Sequence, residues 1–413
     1  MKPVELVIIG AGGRGTTYAE YARAFPDRAR VVAVAEPRDA YRERMASGHG
    51  IPVANVFRDW REVIARPRLA DAVVISTQDR MHAEPAIAFA DLGYDILLEK
   101  PMAPQVDDCR RIVDAIKRNH VLFAVCHVLR YTRDTQRLKS LIDSGAIGDV
   151  VSLQRLEPVG FWHQAHSFVR GNWRNEAESG FMLLTKSCHD LDWIRYIMGV
   201  PCQAVSSFGT RAHFRRSQKP TGSGVRCLEC ALEPECPYSA VRLYLGALGR
   251  GHTGWPLDVL TTELTPDGVL QALREGPYGR CVYVCDNDVV DNQIVNMQFE
   301  GDRTASFTMM AFTKGGPRET RVFGTRGELL NVGSCIEHYD FLTDHTERIE
   351  VSEDSDLMGG HGGGDYWLMN AFVQAVAEQN PRHILSGPDE SLESHLMVFA
   401  AEEARRQNCV VRL

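Results

Sequence analysis

In the run GFMLLTKSCHDLDWIRYIMG, which covers residues 180–199, Thr185, His189 and Asp192 stand four and three residues apart. That spacing stacks side chains along one face of a helix. Lys186 lies one turn before His189. An imidazole can take a hydroxyl proton near neutral pH, and a nearby ammonium can make contact with the substrate. Asp192, one turn after His189, could orient the ring. Leu183, Leu184, Leu191, Ile194 and Ile197 offer an apolar side. The stretch therefore reads either as a proton-handling site or as a core helix with polar trimmings. The choice depends on whether the rest of the chain supplies a cofactor and a substrate.

The N-terminal run supplies a cofactor site. VELVIIG is a short apolar, β-branched stretch, as a buried parallel strand should be. GAGGRG follows at once and sets Gly10, Gly12 and Gly15 in G-x-G-x-x-G spacing, with Arg14 inside the turn. A helix-forming stretch, TTYAEYARAF, comes next, and a second strand, ARVVAVAEP, ends on Glu36, 21 residues after Gly15. Strand, glycine turn, helix, strand and acid in that order form a dinucleotide fingerprint. Gly10 makes the tight turn, Gly12 admits the pyrophosphate, and Gly15 lets helix and strand pack closely. Free N–H groups at the helix start would face the phosphates. Glu36 would bond the adenosine ribose hydroxyls and repel a 2′-phosphate, so NAD is expected over NADP. Arg38, two residues on, is the group that could serve a phosphate instead.

Strands and helices keep alternating through DAVVIST, MHAEPAIAFADLG, DILLEKP, VDDCRRIVDAIKRN and VLFAVCH. This predicts an α/β protein whose N-terminal domain is a doubly wound parallel sheet. The strand ending in Ser76-Thr77, the His82 five residues on, and the Glu99-Lys100-Pro101 element resemble the Gfo/Idh/MocA family of glucose–fructose oxidoreductases and inositol dehydrogenases. Gln78 stands where that family usually has proline. The resemblance implies a nucleotide domain over residues 1–126. A substrate-binding and oligomerisation domain would follow over 127–413, an α+β unit with an open, mainly antiparallel sheet. It further implies that Thr77, Gln78, His82, Glu99, Lys100, Arg130, Trp173 and Arg174 lie at the cofactor. Lys100 would reach the substrate hydroxyl, with an unusual peptide bond before Pro101. Tyr131 would sit beside Arg130 where the chain crosses the cleft.

By the same resemblance, His189 matches the family's catalytic histidine and is the expected base, but Thr185 occupies the place of an aspartate. That departure leaves two readings. One is hydride transfer between nicotinamide and a secondary hydroxyl of a sugar, cyclic polyol or glycoside. The other is a redox-neutral, NAD-dependent glycosidase working by C3 oxidation and elimination, for which His163, His166, Tyr131 and Asp192 could supply extra acid–base groups. A non-catalytic NAD-linked sensor is the lesser alternative. His361 and Asp365 fall where the family's chain returns over the cleft, and His395 reads as structural.

The totals set bounds. The 413 residues suffice for two domains, and a net charge of −8 gives no basic footprint for nucleic acid. No run approaches the roughly 20 apolar residues of a membrane helix, and the N-terminus lacks the plan of a signal peptide. The chain therefore reads as cytoplasmic, and the family resemblance implies a homo-oligomer, dimer or tetramer. Of the 11 cysteines, Cys227, Cys230 and Cys236 form a C-x2-C-x5-C cluster inside an insertion over about 208–280. That spacing predicts a structural zinc. His213 is the fourth ligand adopted, with Cys202, Cys281 and Cys285 as alternatives; packed thiols and an iron–sulfur cluster are the other readings. The acidic knot of Asp286, Asn287, Asp288 and Asp291 reads as sugar contacts or a solvated turn.

Overall fold

A computed structural model describes residues 2–352 and 361–413 of the chain. Two glycines of the run GGHGGGDYWLMNAF, Gly359 and Gly360, lie outside the described residues.

The apolar runs of the N-terminal part become β1 (Val4–Ile9), β2 (Ala29–Ala35), β3 (Val56–Phe57), β4 (Ala72–Ile75), β5 (Asp95–Leu98) and β6 (Phe123–Val125). All are parallel, in the order β3-β2-β1-β4-β5-β6. This is the doubly wound order, which changes direction between β1 and β4. Successive side chains of β1 face opposite ways, as a strand requires. Leu6 and Ile8 join a core that continues into the second domain, whereas Val7 and Ile9 join the core beneath the other helix layer.

The second sheet contains β7 (Val150–Pro158), β8 (Cys202–Thr210), β9 (Asn292–Phe299), β10 (Arg303–Met310), β11 (Glu319–Gly324), β12 (Gly327–Val332), β13 (Cys335–Asp340), β14 (His345–Glu350) and β15 (Val410–Arg412). Their order is β14-β13-β12-β11-β7-β10-β9-β8-β15. Among the described residues only the β7–β10 pair of this sheet is parallel, so the sheet is mixed and mostly antiparallel. In β9 buried and exposed residues alternate, so one face packs inward and the other is open.

Four helices position the site. They are α1 (Gly13–Ala24), α2 (Met182–Met198), α3 (Gly364–Glu378) and α4 (Pro388–Gln407). The run over residues 180–199 contains α2. It is not amphipathic in the expected way: nearly every side chain is buried, because β7 and β10 lie on one side and α4 on another. Its polar residues must therefore find partners inside the protein. It ends at Gly199, whose φ of 71° is the left-handed stop.

The insertion holds short helices over Ala240–Gly249, Leu257–Leu260 and Pro266–Glu275 around its own small core. The segment Gln164–Arg170, which the sequence did not mark as special, is a wide helical turn of π type with every residue buried. Residues 280–291 form no strand before β9, and Asp291 accepts from the N–H groups of Ala212 and His213 at 3.0 and 2.8 Å.

Candidate active site

The carboxyl ends of the parallel strands converge on one edge, where doubly wound sheets bind their ligands. Gly10 follows β1 with φ of 89°, and a Cβ there would lie 2.7 Å from Ser76 O. A Cβ on Gly15 would fall 2.0 Å from Gly10 O, so the first turn of α1 can rest against the strand end only as glycine. Glu36 ends β2 and reaches back to accept from Ala11 N at 2.8 Å. The cradle and its acid are thus already joined, and they fit a dinucleotide. Glu36 also accepts from Arg38 N and Nε, at 3.0 and 2.7 Å. The Arg38 guanidinium lies 3.9 Å from the centre of the Tyr41 ring. Arg14 reaches the other way, with Nε on Glu99 Oε1 at 2.6 Å and Nη2 on Asp365. Glu99 is also held by Tyr18 Oη at 2.7 Å.

At the end of β5 the Lys100–Pro101 peptide is cis. Lys100 Nζ donates to Thr185 O at 2.8 Å, which fixes the ammonium against the first turns of α2. His82 packs behind it, its ring nitrogens 2.8 Å from Pro101 O and 3.2 Å from Thr77 O. His395 on α4 accepts from Met102 N at 3.0 Å and donates to Ser391 O at 2.7 Å. Both histidines therefore brace the Lys100 turn, which assigns His395 the structural part expected of it. Gln78 leads into a short turn over Asp79–Met81. Asp79, not singled out in the sequence, accepts from Trp173 Nε1 at 3.3 Å. Burial raises its carboxyl above the usual range, against the pull of His82 and Lys100.

The row Thr185, His189, Asp192 does not act on one target. Asp192 is claimed by Arg130, whose Nε and Nη2 both donate at 2.7 Å. His127 Nε2 is 3.6 Å away on the same carboxylate. Asp192 therefore does not orient His189, and Arg130 is a buried partner of Asp192 and of Leu385 O. Tyr131 is likewise internal: its hydroxyl accepts from Leu385 N and Ser386 N at 2.8 and 3.2 Å. Arg174 is spent on Asp286 and Glu178.

The carboxylate beside His189 is Asp190, 3.6 Å from Nε2. The group on that nitrogen is Arg318, just before β11, with Nη2 at 2.8 Å. A guanidinium only donates, so Nε2 must accept and the ring proton sits on Nδ1. Nδ1 is buried and has no partner among the described residues. Burial first, then Arg318 and Lys100, hold the imidazole well below its ordinary pKa. Arg318 also bonds Asp190, which accepts from Arg155 Nε at 3.1 Å, and it lies 3.0 Å from Glu157. Lys186 Nζ meets Glu157 at 2.9 Å. Thus Lys100, Lys186, His189 and Arg318 form one cluster, which charge effects on His189 tie together.

His361 stands near, its ring centre 6.3 Å from that of His189, with Nδ1 3.2 Å from the buried Asp365. His163 feels Lys186 and Lys100, and burial keeps it neutral. His166 is instead bound to Tyr244 Oη at 2.6 Å.

The expected zinc clamp is not formed. Among the described residues no group of three or more His, Cys, Asp or Glu side chains is arranged to hold a metal ion. His213 Nε2 is taken by Tyr283 Oη at 2.9 Å. The acidic knot is a braced turn: Asp286 bonds Arg174 and Arg280, and Asp288 accepts from Glu176 N.

The comparisons agree with this geometry. Residues 4–127 match the Gfo/Idh/MocA oxidoreductase family's NAD-binding Rossmann fold, and residues 139–413 match its C-terminal alpha/beta domain. A 2,7-anhydro-N-acetylneuraminate hydratase of Mediterraneibacter gnavus is 28% identical over 52% of this chain and 54% of its own length. A myo-inositol 2-dehydrogenase of Thermotoga maritima is 27% identical over 49% of this chain and 57% of its own. The chain thus matches about half the length of these curated relatives. A levoglucosan dehydrogenase solved with NADH and L-sorbose shares the fold at a TM-score of 0.73, with 19% identity over 100% of this chain and 99% of the other. The chain is therefore a member of the Gfo/Idh/MocA oxidoreductase family, built to bind NAD(H).

Proposed function

We propose that the protein is an NAD-dependent oxidoreductase acting on a secondary hydroxyl of a sugar, cyclic polyol or glycoside. The observation that carries the reading is the Lys100 ammonium pinned to Thr185 O at the cofactor edge of β5. Bound NAD supplies a hydride acceptor there. Lys100 bonds the substrate hydroxyl and carries its proton away as the carbinol carbon gives up its hydride. Nδ1–H of His189, without a partner among the described residues, donates to a substrate oxygen. His189 is then a donor and not the base the sequence suggested, because Arg318 occupies the nitrogen that would accept. Lys186, Arg318 and Glu157 hold further hydroxyls. The fixed Glu36–Arg38 pair favours NAD, since a 2′-phosphate would have to meet the carboxylate.

One observation favours the redox-neutral glycosidase as a second reading. Besides Lys100, the cleft holds a separate acid–base set of His189, Lys186 and Glu157, more than a single oxidation uses. The hydratase relative fits that reading.

The reading also takes the enzyme to be a cytoplasmic homo-oligomer. Supporting it are Phe208 and Ile294, paired across β8 and β9 yet 60% and 44% exposed on the open face of the sheet. Among the described residues no helix is long and apolar enough to cross a membrane.

The test mixes enzyme and NAD with free sugars, polyols and aryl glycosides, following NADH absorbance and aglycone release together. NADH accumulating with a free sugar or polyol supports the dehydrogenase. Aglycone release without net NADH supports the second reading, and silence in both channels despite NAD binding overturns both.

A further inference from the structure

Four free thiols, Cys227, Cys230, Cys236 and Cys281, line one cavity of about 220 Å³ in the insertion. Local turns bring the first three there: Cys230 N bonds Cys227 O at 3.3 Å, and Cys236 N bonds Glu233 O at 3.1 Å. Cys281 arrives from the far end of the insertion, because Arg226 and Arg280 form an antiparallel bridge and Cys281 N bonds Val225 O at 2.9 Å. Cys227 and Cys281 thereby share a face of that bridge. Two sulfurs already receive N–H groups: Gly224 N at 3.2 Å on Cys230, and Arg170 Nη2 at 3.6 Å on Cys227.

Arg170 lines the same cavity and is 1% exposed. Its other bonds go to the carbonyls of Arg280 and Tyr238, at 2.7 and 2.8 Å, and Nη1 has no partner among the described residues. No carboxylate is among these contacts. A buried guanidinium without an anion is strongly disfavoured, so the cavity calls for negative charge. Thiolates around a metal centre supply it.

Zinc holds its sulfurs at about 2.3 Å, and among the described residues no such grouping exists. An iron–sulfur cluster asks for thiolates spread around a larger volume. Four thiolates on a four-iron cluster leave a net charge of about two negative. Cys236 is followed by Pro237, the Cys-Pro step that closes ferredoxin-type ligand runs.

We propose that Cys227, Cys230, Cys236 and Cys281 ligate an iron–sulfur cluster of the four-iron class, with Arg170 as its buried countercharge. The four S–H protons leave as the cluster binds. It would fasten the insertion onto the Gln164–Arg170 turn, whose N-terminal neighbour His163 feels the charges of Lys186 and Lys100. The inference is independent of the proposed reaction.

The full chain is purified without oxygen and assayed for iron, acid-labile sulfide and zinc, with its visible absorption recorded before and after reconstitution with ferrous iron and sulfide. About four irons and four sulfides per chain are expected, with a broad brown absorption. Cys281→Ser should lose most of the iron, whereas His213→Ala and Cys409→Ser should keep it. One zinc per chain in place of iron, no metal even after reconstitution, or full iron in Cys281→Ser would each overturn the proposal. If Cys281→Ser fails to fold, the metal and sulfide content of the unaltered protein decides.

Discussion

Arg318 places its Nη2 2.8 Å from Nε2 of His189, so the histidine expected to be a base is held as a neutral donor. The contact joins the start of β11 to the middle of α2, 129 residues apart in the chain. Both residues lie within residues 139–413, so the contact is internal to the C-terminal domain.

With Arg318 in place, His189 stays neutral and gives no acid limb to kcat/KM near the ordinary histidine pKa of about 6.5. Arg318→Met removes one of the causes that depress the imidazole, so its pKa rises, although burial still holds it down. The acid limb should move upward in pH, and kcat/KM should fall by roughly 10- to 100-fold through loss of a charge-assisted hydrogen bond. A pH profile of kcat/KM for both proteins checks this.

Asp192 separates a structural from a catalytic role. Asp192→Asn leaves the buried Arg130 guanidinium without its partner, and breaking such a pair costs about 3–5 kcal/mol. Urea melts should show that loss. The single-turnover rate per folded molecule should remain within a few-fold of the parent, whereas an orienting carboxylate would lower the rate itself.

The legible part of the protein is the local part. Gly10, Gly12, Gly15 and Glu36 fall within one strand–turn–helix–strand unit, so their spacing carries the cradle without knowledge of the rest. Lys100 ends a strand whose apolar run is unmistakable. Spacing does not reveal the role of Asp192, because its partner, Arg130, lies 62 residues earlier, and helix periodicity says nothing about which side of a buried helix each residue meets. Arg318 carries no local signal at all. Asp190 could have been noticed as the carboxylate next to His189, but its offset points it off the Thr185–His189–Asp192 row.

Coenzyme choice follows from the Glu36–Arg38 pair. Glu36→Ser removes the acceptor from the end of β2 and frees Arg38, so NAD binding should weaken and the ratio of NADP to NAD affinity should rise by about 10-fold or more. Fluorescence titration with each reduced coenzyme measures the ratio. An unchanged ratio would remove Glu36 from the site.

Buried neutral histidines set an acid limit on stability. Burial lowers His127 and His166 to about 3 and His395 to about 4. Below the unfolded value of about 6.5 the unfolded chain takes protons that the folded chain does not. Stability contributed by these groups is therefore full above that pH and is lost as pH falls, levelling only where the folded imidazoles charge near 3 to 4. Denaturant midpoints should decline steadily from pH 7 to 5 with proton uptake on unfolding.

The most direct test of the account is single-turnover formation of NADH by the parent and by Lys100→Met, using whichever free sugar or polyol the substrate panel selects. NAD affinity should be retained in the variant, because the glycine cradle and Glu36 are untouched, while the rate of NADH formation should fall by about 100- to 10,000-fold. A variant that binds NAD and forms NADH at the parental rate would contradict the assignment of the hydroxyl proton to Lys100.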